Sequence, residues 1–94
     1  MPTYVTLFRY SSEGFKHLNE EGRQQQIRLI EAHGGHVKDA YGLMGEWDVL
    51  FITEFPDEKS AMSALVATCQ SGMGTTQTMT ALPLEEFVQL GHPS

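Results

Sequence analysis

The 94-residue chain has room for one small domain with one core, which leaves no space for a second domain or a large active-site lid. With 40% apolar and 19% charged residues it belongs among folded chains and not among disordered ones. Twelve acidic against six basic residues leave a formal charge of −6, which argues against a phosphate-binding stripe and so against nucleic acid or an anionic membrane as partner.

The opening MPTYVTLFRY lacks the basic start and long apolar run of a secretory signal. Nowhere does the sequence reach the roughly 20 apolar residues of a membrane span. Residues 3–10 are rich in β-branched and aromatic types and predict a strand, with Tyr4, Thr6, Phe8 and Tyr10 on one face and Val5 and Leu7 on the other. Ser11-Ser12-Glu13-Gly14 supplies turn chemistry, and Phe15 and Leu18 suggest a short helical turn docked on the core. Asn19 reads as an N-cap ahead of Glu20 and Glu21, whose acids suit the positive end of a helix dipole. That helix runs to about Ala32 on an apolar stripe of Ile27, Leu29 and Ile30, and stops at Gly34-Gly35.

Residues 36–44 predict a second strand, Gly45-Glu46 a turn, and residues 47–53 a third, strongly apolar central strand. Pro56-Asp57 breaks that strand and Asp57 caps a second helix, whose buried face takes Ala61 and Leu65 with Met62 and Cys69. Gly72 and Gly74 end the helix. Residues 75–82 predict a fourth strand, and residues 85–90 a short acidic-then-apolar helix before a frayed tail at Pro93. One cysteine cannot form an internal disulfide, so a reducing cytoplasm is the expected compartment.

The order strand–helix–strand–strand–helix–strand, with right-handed crossovers, gives an α+β, ferredoxin-like βαββαβ sandwich. One domain over residues 1–94 then holds a four-stranded antiparallel sheet with helices on one face. The open face is expected to carry a mixture of Tyr, Thr, Phe and aliphatic residues. A patch of that size marks an interface, so a two-fold homodimer packed sheet to sheet is expected, closing an α/β barrel.

The hairpin Gly45-Glu46-Trp47-Asp48, followed by Val49-Leu50-Phe51-Ile52, resembles the GYD-domain family, a small bacterial family named for a Gly-Tyr-Asp signature. PTYVTLFRYSSEGFKHL, Gly34-Gly35 and FPDEKSA are similar to its pattern as well, so the resemblance runs from Pro2 to about Val88. Trp47 stands where the family has tyrosine, and its indole N–H is a donor only. The resemblance implies the dimeric α/β-barrel group, which includes muconolactone isomerases, cofactor-free monooxygenases, haem-dependent enzymes and the sensor domains of Lrp/AsnC regulators. The hairpin is also similar to that of the sensor domains. The family itself carries no established reaction, and fold analogy does not choose among these chemistries.

Asp48 is the first candidate site residue: a carboxylate at a strand mouth serves as a general base or holds a ligand amine, whereas just past a glycine turn it commonly accepts backbone N–H groups. His36 shares an expected strand face with Lys38 and Ala40, against Val37, Asp39 and Tyr41 on the other. Lining a barrel, His36 and Lys38 would meet an acidic metabolite; at a sheet edge, Lys38 discourages aggregation. Tyr4, Thr6, Phe8, Tyr41, Trp47, Thr76, Thr78 and Thr80 offer aromatic walls and hydroxyl or indole donors to a cavity, although sheet packing uses the same residue types. His33 and His36 in H-G-G-H are separated by a helix end, so their spacing does not set up a metal site, and none is expected. His17 and His92 are expected in solvent, and Cys69 as a packed thiol. GMGTT does not open a helix after a strand and is no phosphate loop.

These readings converge on a homodimeric barrel that binds a small molecule without converting it, through Tyr4, Thr6, Phe8, His36, Tyr41, Trp47 and Asp48, and without a cofactor. The rival readings are a cofactor-free isomerase or monooxygenase acting on a small aromatic metabolite, and a purely structural oligomerisation module. Assembly beyond the dimer stays open.

Overall fold

A computed structural model describes residues 1–91, so His92 and Pro93 lie outside the described residues. Along the chain run β1 (Thr3–Tyr10), α1 (Ser12–Phe15), α2 (Glu20–Ala32), β2 (His36–Gly42), β3 (Val49–Glu54), α3 (Glu58–Gln70), β4 (Gly74–Ala81) and α4 (Leu84–Gln89). The strands form one antiparallel sheet in the order β2-β3-β1-β4. Each crossover therefore skips one strand, which is the ferredoxin-like arrangement expected from the element order. No described helix is long and apolar enough to cross a membrane.

The helix starts follow local chemistry. Asn19 Oδ1 accepts from the Gly22 N–H at 2.9 Å and Asp57 Oδ1 accepts from the Ser60 N–H at 2.8 Å, capping α2 and α3. Gly34 takes φ +84° just past α2, a conformation that side-chain-bearing residues rarely adopt. Gly35 follows it for a different reason, since a methyl group there would collide with the Phe55 ring and Ile30.

The core lies between the sheet and the helices, where Tyr4, Ile30, Phe55, Ala61 and Ala64 pack together with Leu29 and Val37 around them. Cross-strand partners share a face, so Tyr4 brings with it Thr6, Phe8, Phe51, Thr53 and Thr78. This corrects the expected exposure of the aromatic and threonine set. It faces the helices, and the uncovered side carries Val5, Leu7, Leu50, Ile52 and Met79 instead. The reason lies on α3, whose inward residues Ala61, Ala64 and Thr68 are small and leave space that only rings on the strands fill. Met62, 63% exposed, and Cys69 turn outward, contrary to expectation, while Leu65 is half-buried.

The second strand also departs from simple alternation. A register shift between Val37 and Asp39 leaves Lys38 as an extra residue in edge strand β2. Asp39 and Tyr41 thus join His36 on the uncovered face, and Ala40 crosses to the helix side opposite Phe51. Trp47 and Asp48 precede β3 in the hairpin loop. Beyond β4, α4 exposes Leu84, Phe87 and Val88, and the adjoining Leu90 is exposed as well.

Both the tight glycine and the helix cap have measurable consequences. Gly35→Ala lowers unfolding free energy by about 1–3 kcal/mol in a denaturant titration, because buried Phe55 has no room to yield. The Ser60 N–H holds the Asp57 carboxyl below its ordinary value, so its contribution to stability is present above about pH 4 and is lost as pH falls through the lower folded value. In an acid titration of the thermal midpoint, Asp57→Asn flattens that part of the curve.

Candidate functional site

Between α2 and the β2–β3 half of the sheet lies a cleft of about 810 Å³. Phe8, Val49 and Phe51 form its floor, and Gln26 and Leu29 face them from α2. Tyr10 bounds the cleft as well and continues the aromatic wall, with its ring 4.9 Å from Phe8 and 5.1 Å from Phe15 in edge-on and tilted contacts. The charged side chains around the cleft, including Glu20, Arg23, Glu31, Lys38 and Asp39, lie toward its solvent side. Burial and the nearby Asp48 push the Tyr10 phenol up, which keeps it a neutral donor.

Phe8, Gln26 and Phe51 also border a smaller pocket of about 30 Å³ that reaches under α3. Its polar lining comes from Thr6, Thr53, Thr76 and Thr78 on the strands and Gln26 and Thr68 on the helices. Thr6 and Thr78 hydroxyls pair across strands at 2.9 Å, Gln26 Nε2 donates to Thr68 Oγ1 at 3.1 Å, and Thr68 Oγ1 donates to the Ala64 carbonyl at 2.9 Å. Thr53 Oγ1 and Tyr4 Oη are buried and have no hydrogen-bond partner among the described residues. Burial pushes the Tyr4 phenol up, reinforced by Glu58 and Asp57.

The hairpin before β3 clamps the end of β1. Asp48 Oδ2 accepts from the Tyr10 N–H at 2.9 Å, and the Asp48 N–H donates to the Phe8 carbonyl at 2.8 Å. Its carboxylate thus continues the strand pairing where the ladder stops. Arg9 donates to the Glu46 carbonyl at 2.9 Å and to Glu46 Oε1 at 3.0 Å, and its guanidinium lies 4.8 Å from the centre of the Trp47 ring. Gly45, at φ +138°, makes the bend that brings these side chains together.

The remaining candidates separate. Phe8, His36 and Tyr41 border the cleft, Thr6 borders the inner pocket, and Tyr4 lies in the core beside them. Tyr41 donates to Asp39 Oδ2 at 2.7 Å, and Lys38 Nζ stands 3.9 Å from Glu54 on the exposed edge. His33 Nδ1 is 3.0 Å from Ser63 Oγ, away from His36, and among the described residues no three His, Cys, Asp or Glu side chains cluster as a metal site. His17, expected simply in solvent, borders the cleft mouth with Nε2 3.8 Å from Glu13. Gln26 and Thr53 do not stand out in the sequence; the one signal, for Thr53 alone, is the run of alternating threonines in β4, which marks a polar stripe under the helices.

Residues 4–90 match the family model described as GYD domain. No match was found among curated proteins. Among solved structures, the chain is similar to FFRP-DM1, with 21% identity over 87% of this chain and 100% of that one and a TM-score of 0.59. It is similar to MtbAldR, with 14% identity, covering 87% of this chain and 52% of that one at a TM-score of 0.65. TTHA0845 from Thermus thermophilus shares 20% identity over 88% and 95% of the two chains, with a TM-score of 0.59. At such identities the likeness is one of fold.

The hairpin geometry separates a structural from a chemical use of Asp48. Asp48→Ala strands the Tyr10 N–H and costs about 1–3 kcal/mol of stability, with faster amide exchange at Tyr10. Asp48→Asn keeps an acceptor oxygen and restores most of both readings.

Proposed function

This chain belongs to the GYD-domain family, and from that premise we propose that it works as a homodimer in which each protomer binds a small molecule without converting it. The observation that carries the reading is the cleft of about 810 Å³, with an aromatic floor and its charged groups confined to the rim. A buried acid or base poised for proton transfer would favour an isomerase or oxygenase; the Tyr10 phenol is held protonated, and Asp48 is occupied by backbone. Phe8 serves as a ligand contact on the cleft floor and Thr6 at its inner end, while His36 and Tyr41, on the uncovered face of edge strand β2, stand only at the outer edge of the cleft. Tyr4 supports the core beneath them, while Trp47 and Asp48 hold the hairpin.

Self-association follows from what the helices leave uncovered. Val5, Leu7, Leu50 and Ile52 form a contiguous aliphatic patch on the outer side of the sheet. A second copy, placed sheet to sheet, hides both patches at once and closes a barrel. The ligand cleft lies on the opposite, helix side of each sheet, so this barrel is a packed interface and each protomer keeps its own cleft.

Protein purified gently from its host and sprayed under native conditions gives the mass of two chains with a retained small molecule. Leu7→Lys shifts sedimentation toward the single chain. A wild-type chain that sediments alone at micromolar concentration overturns the dimer, and failure of any small apolar molecule to raise the thermal midpoint overturns the cleft reading.

A further inference from the structure

We propose that the threonine-lined pocket beneath α3 receives an uncharged oxygen, a hydroxyl or carbonyl, at the inner end of a ligand whose apolar body occupies the cleft. This rests on the small-molecule reading above and narrows its chemistry. Close-packed aliphatic side chains are the ordinary filling between helices and a sheet. Here Thr6, Thr53, Thr76 and Thr78 instead meet Gln26 and Thr68 around a space of about 30 Å³, large enough for one water-sized group.

The hydrogen bonds leave one opening in that ring. Thr6 is joined to Thr78, Gln26 to Thr68, and Thr68 to the Ala64 carbonyl, while Thr76 Oγ1 lies 3.6 Å from Cys69 Sγ. Thr53, 2% exposed, keeps its hydroxyl without a partner among the described residues. A buried hydroxyl in that state is unfavourable until something supplies its bond. Because a hydroxyl both donates and accepts, it suits a ligand hydroxyl or carbonyl equally. No ionisable side chain lines this pocket among the described residues, so a carboxylate or ammonium group would enter without a countercharge. Phe8, Gln26 and Phe51 border both spaces, and the flexible Gln26 side chain stands at the partition between them.

The test is calorimetric titration of the full chain with 4-propylphenol and with propylbenzene, which differ only in the terminal oxygen. The wild-type chain binds the phenol about tenfold or more tightly than the hydrocarbon, a difference of about 1.4 kcal/mol. Thr53→Val, which keeps the branched shape, reduces the preference to about threefold or less, and Thr53→Ser retains it. Without probe, Thr53→Val leaves the thermal midpoint unchanged or raised, since it removes a hydroxyl that has no partner. Equal affinity for the two probes in the wild-type chain shows a pocket that holds water only and overturns this inference while the cleft reading stands. Binding of neither probe overturns both.

Discussion

The face of β1 that carries Tyr4, Thr6 and Phe8 is packed beneath α2 and α3, and the rest of the structure depends on that burial. Ala61, Ala64 and Thr68 let α3 approach the sheet, and the Tyr4 ring, edge-on to Phe55 at 6.0 Å, fills the space they leave. Once this side is inside, period-two alternation commits Val5 and Leu7 to the other side, and antiparallel pairing brings Ile52 and Leu50 beside them. Core packing and the aliphatic outer patch are therefore two results of one choice of face.

The same choice explains why the interior is partly polar. A face supplying only rings and aliphatic groups would have filled the space under the helices completely. Here every second position of β4 from Thr76 to Thr80 is threonine, and Thr6 and Thr53 share its side of the sheet. Such a stripe costs desolvation wherever a hydroxyl lacks a partner. Around Thr68 a network of hydrogen bonds recovers that cost, and at Thr53 none does. A polar pocket among apolar walls thus distinguishes this core from one packed for stability alone.

Much of the architecture was legible from local signals. Asn19, Asp57 and Gly34 act within one turn of their own position, so caps and stops could be read directly. Which face of β1 lies inside could not, because alternation defines two sets and the decision rests on the size of residues from α3, far along the chain. The bulge at Lys38 was equally hidden, since one inserted residue reverses the faces of Asp39, Ala40 and Tyr41 without changing the strand's composition. Asp48 was visible as a carboxylate with two possible uses, and only the 2.9 Å contact to the Tyr10 N–H separates them. Gln26 gave no signal in its polar run RQQQI, where one glutamine reaches the Thr68 hydroxyl and its neighbours carry the same composition.

The two borders of the sheet are protected to different degrees. β2 carries the inserted, charged Lys38 followed by Asp39, a combination that frustrates the addition of a foreign strand. β4 reads GTTQTMTA, eight residues without a charge or a proline, and its register against β1 is unbroken. Fibrillar misassembly of partly unfolded protein would accordingly grow from the threonine-rich border, and a lysine placed at Gln77 would guard it.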